Sequence, residues 1–99
     1  MQMRVHVKGY LTYKKLVGDR WISSDAEQKL SIRELLDTLC EQVGQSLIDQ
    51  LFEADSGSLR ARVAILVNGR SMTSLPDGLE SLLADQDEVA IFPPLMGGD

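Results

Sequence analysis

The sequence is poor in the residues that most often carry catalytic chemistry. It contains one cysteine, Cys40, and one histidine, His6. A single cysteine excludes an internal disulfide framework and a cysteine-rich zinc site, and a single histidine leaves little for a zinc centre or a histidine-based catalytic pair. Metalloenzymes and the common nucleophilic hydrolases are therefore poor candidates.

Long apolar runs and an excess of positive charge are also missing. No stretch approaches the roughly 18 apolar residues that cross a bilayer, and the N-terminus, Met-Gln-Met-Arg-Val, lacks the features of a secretory signal. Ten Lys and Arg residues stand against 15 Asp and Glu, a formal net charge of -5, which disfavours binding to the phosphates of nucleic acids. We expect a cytoplasmic protein with no membrane or nucleic-acid partner, and a basic protein partner fits better.

The residues that are present suit one small α+β domain. The 99 residues are 43% hydrophobic and 25% charged, as in ordinary globular proteins. Alternation of Met3, Val5 and Val7 with polar residues predicts a first strand to about Leu11, and residues 20–23 can pair back on it after a turn at Gly18.

A helix is predicted from Ser31, because Ser31 and Glu34 have the spacing of a capping box. One apolar stripe follows at steps of three and four residues, until Gly44 ends the helix. The stripe comprises Ile32, Leu35, Leu36, Leu39, Cys40 and Val43. A shorter second helix is expected over residues 46–54, ahead of a surface loop at 55–58.

Three further strands are predicted in the C-terminal half. Residues 60–67 are apolar on both faces, which predicts the most buried and central strand. Asn68-Gly69 is a hairpin signal that returns the chain through residues 70–74, and residues 88–92 form the last strand before Pro93 and Pro94 end pairing. This order predicts a mixed sheet with one main helix packed across it. First and last strands side by side in the centre would make it a β-grasp fold, but the sequence pattern alone does not fix the strand order.

The C-terminal residues 89–98, Val-Ala-Ile-Phe-Pro-Pro-Leu-Met-Gly-Gly, resemble the C-terminal signature of the MoaD branch of the MoaD/ThiS ubiquitin-like sulfur carriers. Residues 65–70 and 85–89 also resemble that family's central hairpin and its entry to the last strand. The resemblance implies a domain at 1–92 and a flexible tail at 93–99. The thiamine-pathway carriers usually lack Phe-Pro-Pro, which favours the molybdopterin-type relationship.

The resemblance implies a protein that is activated by a partner and is not itself an enzyme. In the family, an E1-like adenylating enzyme uses ATP and magnesium to adenylate the terminal glycine, a sulfur donor converts it to a thiocarboxylate, and the sulfur passes to a pterin precursor on the large subunit of molybdopterin synthase. The carrier itself binds no cofactor and no metal. The reactive residue would be Gly98, preceded by Gly97, because glycine lets the backbone enter a narrow channel.

The same resemblance implies a partner-binding surface. Tyr10, Met72 and Phe92 match its aromatic and apolar positions, and Pro93 with Pro94 would hold the tail extended. For Tyr10, Met72 and Phe92 the alternative is ordinary sheet packing.

Asp99 departs from the family pattern, because it ties the carboxyl of Gly98 into a peptide bond. Removal by a dedicated metalloprotease is the favoured explanation. The alternatives are a degenerate relative that no longer carries sulfur, or an artificial extra residue.

Other reactive residues have simpler explanations. Cys40 lies in the apolar stripe and should act as a small hydrophobe. His6 lies on the polar side of the first strand without an evident partner, and Asp85 with Asp87 fits a turn rather than a metal site. The competing functions are a ubiquitin-like modifier, a noncovalent interaction domain, or a sulfur carrier for thiamine or cysteine synthesis.

Overall fold

The computed structural model describes residues 2–25 and 29–93. The order of its strands and helices is close to that expected from the sequence. In chain order they are β1 (Gln2–Gly9), α1 (Tyr13–Leu16), β2 (Asp19–Asp25), α2 (Ile32–Val43), α3 (Gln45–Leu51), β3 (Ala64–Val67), β4 (Arg70–Ser71), two 3-10 turns (Met72–Ser74 and Gly78–Glu80) and β5 (Glu88–Phe92).

The five strands form one mixed sheet in the order β2-β1-β5-β3-β4. β1 and β5 run parallel, with Val7 opposite Val89, and the other pairs are antiparallel. The predicted central pairing of the first and last strands is confirmed. The fold is therefore an α+β β-grasp.

Strand alternation gives the sheet two different faces. One face packs against α2, and the side chains of this face form a buried core with the apolar stripe of the helix. The strand residues at the centre of this core are Val5, Val7, Ile65, Val89 and Ile91. The opposite face, which we call the open face, carries the alternate residues. These include Arg4, His6, Lys8, Ala64, Leu66, Glu88, Ala90 and Phe92, and all of them are partly or well exposed. Functional contacts are available on the open face, because the other face is occupied by the core.

The N-terminus of α2 has the predicted capping box. The Ser31 Oγ accepts from the Glu34 N–H at 3.1 Å, and the Ser31 N–H donates to Glu34 Oε1 at 2.9 Å. Gly44 separates α2 from α3 with a φ of 111°, in the region that favours glycine. Within residues 2–25 and 29–93, no helix is long and apolar enough to cross a membrane.

The prediction of a long central strand at residues 60–67 is wrong. Only Ala64–Val67 pairs as β3, and β5 occupies the middle of the sheet. The preceding residues turn instead, because the Arg60 N–H donates to Leu51 O at 2.8 Å and the Val63 N–H donates to Arg60 O at 3.1 Å. The first bond connects the segment to the end of α3, and the second closes a local turn. The return strand is likewise only two residues long.

The connection from β1 to β2 contains a helical turn that the sequence analysis missed. β1 ends at Gly9, and Leu11 adopts a φ of 58° as the chain enters α1. A Cβ on Gly9 would lie 2.4 Å from the backbone oxygen of Tyr13. Glycine at this position therefore allows α1 to pack directly against the end of β1.

Candidate functional site

Two of the predicted site residues meet where the two central strands end. Tyr10 follows β1, Phe92 closes β5, and the parallel pairing brings both to the same edge of the sheet. Their rings stack with centroids 4.5 Å apart and planes 4° from parallel. The Tyr10 N–H also donates to Ile91 O at 3.0 Å, so the backbone holds this pair in register.

A shallow groove lies on the open face beside Phe92. It has a volume of about 520 Å³ and is lined by Arg62, Ala64, Leu66, Phe92 and Pro93. We call it the exit groove, because Pro93 is the point at which the described chain leaves the sheet. The register explains the lining: Ala64 faces Phe92 across the strands, and Leu66 faces Ala90.

The exit groove has cationic neighbours although the whole chain is acidic. Arg62 forms part of its lining, and Lys8 lies across from Ala90 in the β1–β5 register. Asp19 lies opposite Lys8 on the other side, in the β1–β2 register, so Arg62 is the charged residue in the groove lining itself. The sequence analysis did not single out Lys8 or Arg62; strand register places Lys8, and the turn before β3 places Arg62.

Met72 lies in a different environment from the aromatic pair. It begins the 3-10 turn Met72–Ser74, is half-buried, and packs against the core. The structure therefore joins Tyr10, Phe92 and Pro93 at one site and places Met72 against the core. Pro94, Gly97, Gly98 and Asp99 lie outside the described residues.

His6 has partners that the sequence analysis did not identify. Its Nε2 contacts the Asp19 carboxylate, and its Nδ1 lies 3.8 Å from Glu88 Oε1. Its ring stacks on Trp21 at 4.6 Å, and the guanidinium of Arg4 lies 4.5 Å from the Trp21 ring. The β1–β2 register, which pairs His6 with Trp21, creates a polar and aromatic cluster on the half of the open face away from the exit groove.

The other reactive residues have structural roles. Cys40 is buried, and burial, followed by the nearby Asp37 charge, raises the pKa of its thiol to about 11. A protonated thiol is a weak nucleophile. Asp87 Oδ2 accepts from the Ala84 N–H at 2.7 Å within the turn, as expected. Asp85 Oδ1 instead accepts from the Arg4 N–H at 2.8 Å and connects the turn to β1.

Comparison with known proteins gives a consistent relationship. The ThiS family model matches residues 13–98. The chain is 30% identical over 96 residues to small archaeal modifier protein 3 of Haloferax volcanii, covering 97% of this chain and 100% of that protein. It is 36% identical over 74 residues to a candidate sulfur carrier protein of Archaeoglobus fulgidus, covering 75% of this chain and 80% of that one.

A solved structure supports the same relationship. The solution structure of small archaeal modifier protein 1 from Methanosarcina acetivorans superposes with a TM-score of 0.78 at 30% identity, and the match covers 99% of each chain. The relatives are small ubiquitin-like proteins rather than enzymes. The chain therefore belongs to the ThiS family, among the ubiquitin-like small modifiers and sulfur carriers.

Proposed function

We propose that this protein is a sulfur carrier whose Gly98 carboxyl, once freed from Asp99, becomes a thiocarboxylate for molybdopterin synthesis. The observation that carries the proposal is the position of Phe92 and Pro93. They connect the central strand and the exit groove directly to the Pro-Leu-Met-Gly-Gly sequence that follows. The choice of molybdopterin as the destination rests on the Phe-Pro-Pro motif before the diglycine.

The chemistry requires a partner enzyme. A carboxylate is a poor acyl donor, so the Gly98 carboxylate must first attack the α-phosphate of ATP, forming an acyl-adenylate and releasing pyrophosphate. A sulfur donor then displaces AMP and leaves a thiocarboxylate. The E1-like partner holds the ATP and magnesium, and the carrier binds neither. In this sequence the Gly98 carbonyl belongs to the amide bond with Asp99, so that bond must first be hydrolysed, by a metalloprotease in our proposal.

The exit groove and the Tyr10–Phe92 pair supply the docking surface in this proposal. Aromatic and apolar side chains at the centre of an interface contribute most of its binding energy. Arg62 in the groove lining favours an acidic residue of the partner at that point, in contrast to the basic partner expected from the net charge of the chain. The E1-like enzyme and the large subunit of molybdopterin synthase would use this surface in turn.

The test compares the full chain with a variant that ends at Gly98. Each is incubated with ATP, magnesium, a cognate adenylating enzyme and a sulfur source, and its mass is then measured by intact mass spectrometry. We expect only the variant ending at Gly98 to gain the mass change of oxygen replaced by sulfur. Thiocarboxylate formation with Asp99 still attached, or an unreactive Gly98 form beside a reactive cognate control, would contradict the proposal.

Protein modification is the second candidate, because the relatives at 30% identity are named small archaeal modifier proteins. A modifier would transfer the activated Gly98 carbonyl to a lysine amine and form an isopeptide bond. The same incubation in cell extract distinguishes the two. Lysine-linked Gly98 adducts on other proteins would favour modification, and sulfur transfer to a pterin precursor would favour the carrier function.

A further inference from the structure

A second groove lies on the helical side of the molecule. It has a volume of about 950 Å³ and shares no lining residue with the exit groove. We call it the helix groove. Its lining comes from α2, α3 and the segment that follows: Arg33, Asp37, Cys40, Glu41, Gln45, Ile48, Asp49, Phe52, Glu53, Ala54, Gly57 and Arg60.

The apolar lining of the helix groove is incompletely covered by the chain. Ile48 is 36% exposed although α3 buries its neighbours Leu47 and Leu51 completely. Phe52 is half-buried, and Ala54 is exposed beside it. An apolar strip bordered by polar residues is typical of a protein-binding surface.

The charged lining of this groove is predominantly acidic. Four carboxylates, those of Asp37, Glu41, Asp49 and Glu53, stand against two arginines. Within residues 2–25 and 29–93, no ion pair involves Glu41 or Glu53. A positively charged partner would therefore add attraction at these two carboxylates without breaking an existing pair.

The two arginines of the groove are already engaged by the chain. Arg60 donates from Nε and Nη2 to Asp49 O at 3.2 and 3.0 Å. The Arg33 guanidinium lies 5.2 Å from the Phe52 ring, and its Nε is 3.6 Å from Asp37 Oδ1. Both side chains are thus held against the groove wall, and the excess negative charge remains for a ligand.

We propose that the helix groove binds a cationic amphipathic helix of a partner protein. The apolar side of such a helix would cover Ile48 and Phe52, and its Lys or Arg residues would meet Glu41 and Glu53. Because the sheet separates this groove from the open face, the partner would stay bound while the tail acts elsewhere. The groove thus gives the carrier a second, independent docking site.

The probe is a 14-residue Leu/Lys peptide with apolar residues at helical spacing, added to ¹⁵N-labelled protein at low salt. A peptide of the same composition with alternating Leu and Lys is the control, because it has the same charge but no amphipathic helix. We expect shifts at α2, α3 and residues 53–60 with the helical peptide and binding at least fivefold weaker with the control. Equal binding of both peptides, or shifts centred on the open face, would overturn the proposal.

Matched variants test the contributions of charge and apolar contact. Glu41→Gln combined with Glu53→Gln should weaken binding at least threefold, whereas Asp77→Asn combined with Glu80→Gln, both exposed and outside the groove, should leave it unchanged. Ile48→Ser should weaken binding further. If Ile48→Ser proves unstable, the charge variants decide the outcome, and equal binding by the two double variants would reject the groove. None of these residues belongs to the exit groove. Thiocarboxylate formation at Gly98, measured on the same variants, therefore tests the proposed function independently of peptide binding to the helix groove.

Discussion

Tyr10 and Phe92 stack almost in parallel, 4.5 Å apart, at the point where the two central strands end. The two residues are separated in sequence by almost the whole chain: Tyr10 follows β1 and precedes α1, whereas Phe92 is the last residue of β5. Mutual stacking and the bond from the Tyr10 N–H to Ile91 O hold the Phe92 ring at the end of β5, next to Pro93. The β-grasp topology thus brings two residues from opposite ends of the sequence into one contact.

Phe92→Ala should weaken binding to a cognate adenylating enzyme about tenfold or more while lowering stability less, because Phe92 is only partly buried and lies on the open face. Isothermal titration calorimetry gives the Kd, and urea unfolding gives the stability. Phe52→Ala is the matched control, since Phe52 is also half-buried but packs on the helical side. Similar losses of affinity in both variants would assign Phe92 to the core.

Leu36→Ala should cost about 2 to 5 kcal/mol of stability, because Leu36 is fully buried between α2 and the sheet. Urea unfolding followed by the fluorescence of Trp21 measures this directly. Thr38→Ala, on the same helix but only half-buried, is the control and should change stability by much less. A cost near zero for Leu36→Ala would contradict the packing of α2 on the sheet.

Cys40 should resist alkylation in the native protein. Its pKa of about 11, against an ordinary 9.0, leaves about a hundredfold less thiolate at pH 8. Iodoacetamide labelling in buffer should therefore be at least that much slower than in urea, and should accelerate tenfold per pH unit up to about pH 10. Rapid native labelling at pH 8 would show a reactive thiol and revive a sulfur-relay role.

The same shift has a defined effect on stability. The native thiol keeps its proton to higher pH than the unfolded thiol. The proton linkage of Cys40 therefore contributes fully to the free energy of unfolding below about pH 9, and this contribution is lost as the pH rises through about 11. Cys40→Val removes the titrating group. Its urea midpoint should therefore fall less than that of the wild type between pH 8.5 and 10.5, and parallel curves would argue against a raised pKa.

Local sequence patterns predicted the elements whose signals are local. The capping box at Ser31, the hairpin at Asn68-Gly69 and the strand at Glu88–Phe92 all appear as expected. The central-strand prediction failed because residues 61–63 lie in a turn, and the Arg60 N–H donates to Leu51 O at the end of α3 instead of pairing with a strand. Composition cannot report such tertiary hydrogen bonds.

The candidate site was predictable only in part for a similar reason. Tyr10 and Phe92 could be placed through the family resemblance, but the position of Lys8 depends on register between distant strands. The carboxylates near His6 come from β2 and β5, so placing them required the same register information. A one-residue change of register would send a strand side chain such as Lys8 to the other face. Arg62 precedes β3, and its place in the groove depends on the turn before that strand.

Gly9→Ala should reduce stability by about 1 to 3 kcal/mol, because the new methyl group would overlap backbone rather than a movable side chain. Its Cβ would lie 2.4 Å from Tyr13 O and 2.9 Å from Val17 Cβ. The backbone must then shift, which strains the bond from the Gly9 N–H to Gly18 O, now 2.8 Å long.

The strain at Gly9 should also reach the functional surface, since Tyr10 is the next residue. We expect Gly9→Ala to perturb the backbone resonances of Tyr10 and Phe92, and to weaken adenylating-enzyme binding by more than the small unfolded fraction explains. Gln2→Ala, exposed on the same strand, supplies the control. Wild-type stability in Gly9→Ala would show that α1 can move away from β1, and wild-type affinity despite lost stability would show that the Tyr10–Phe92 stack does not depend on α1.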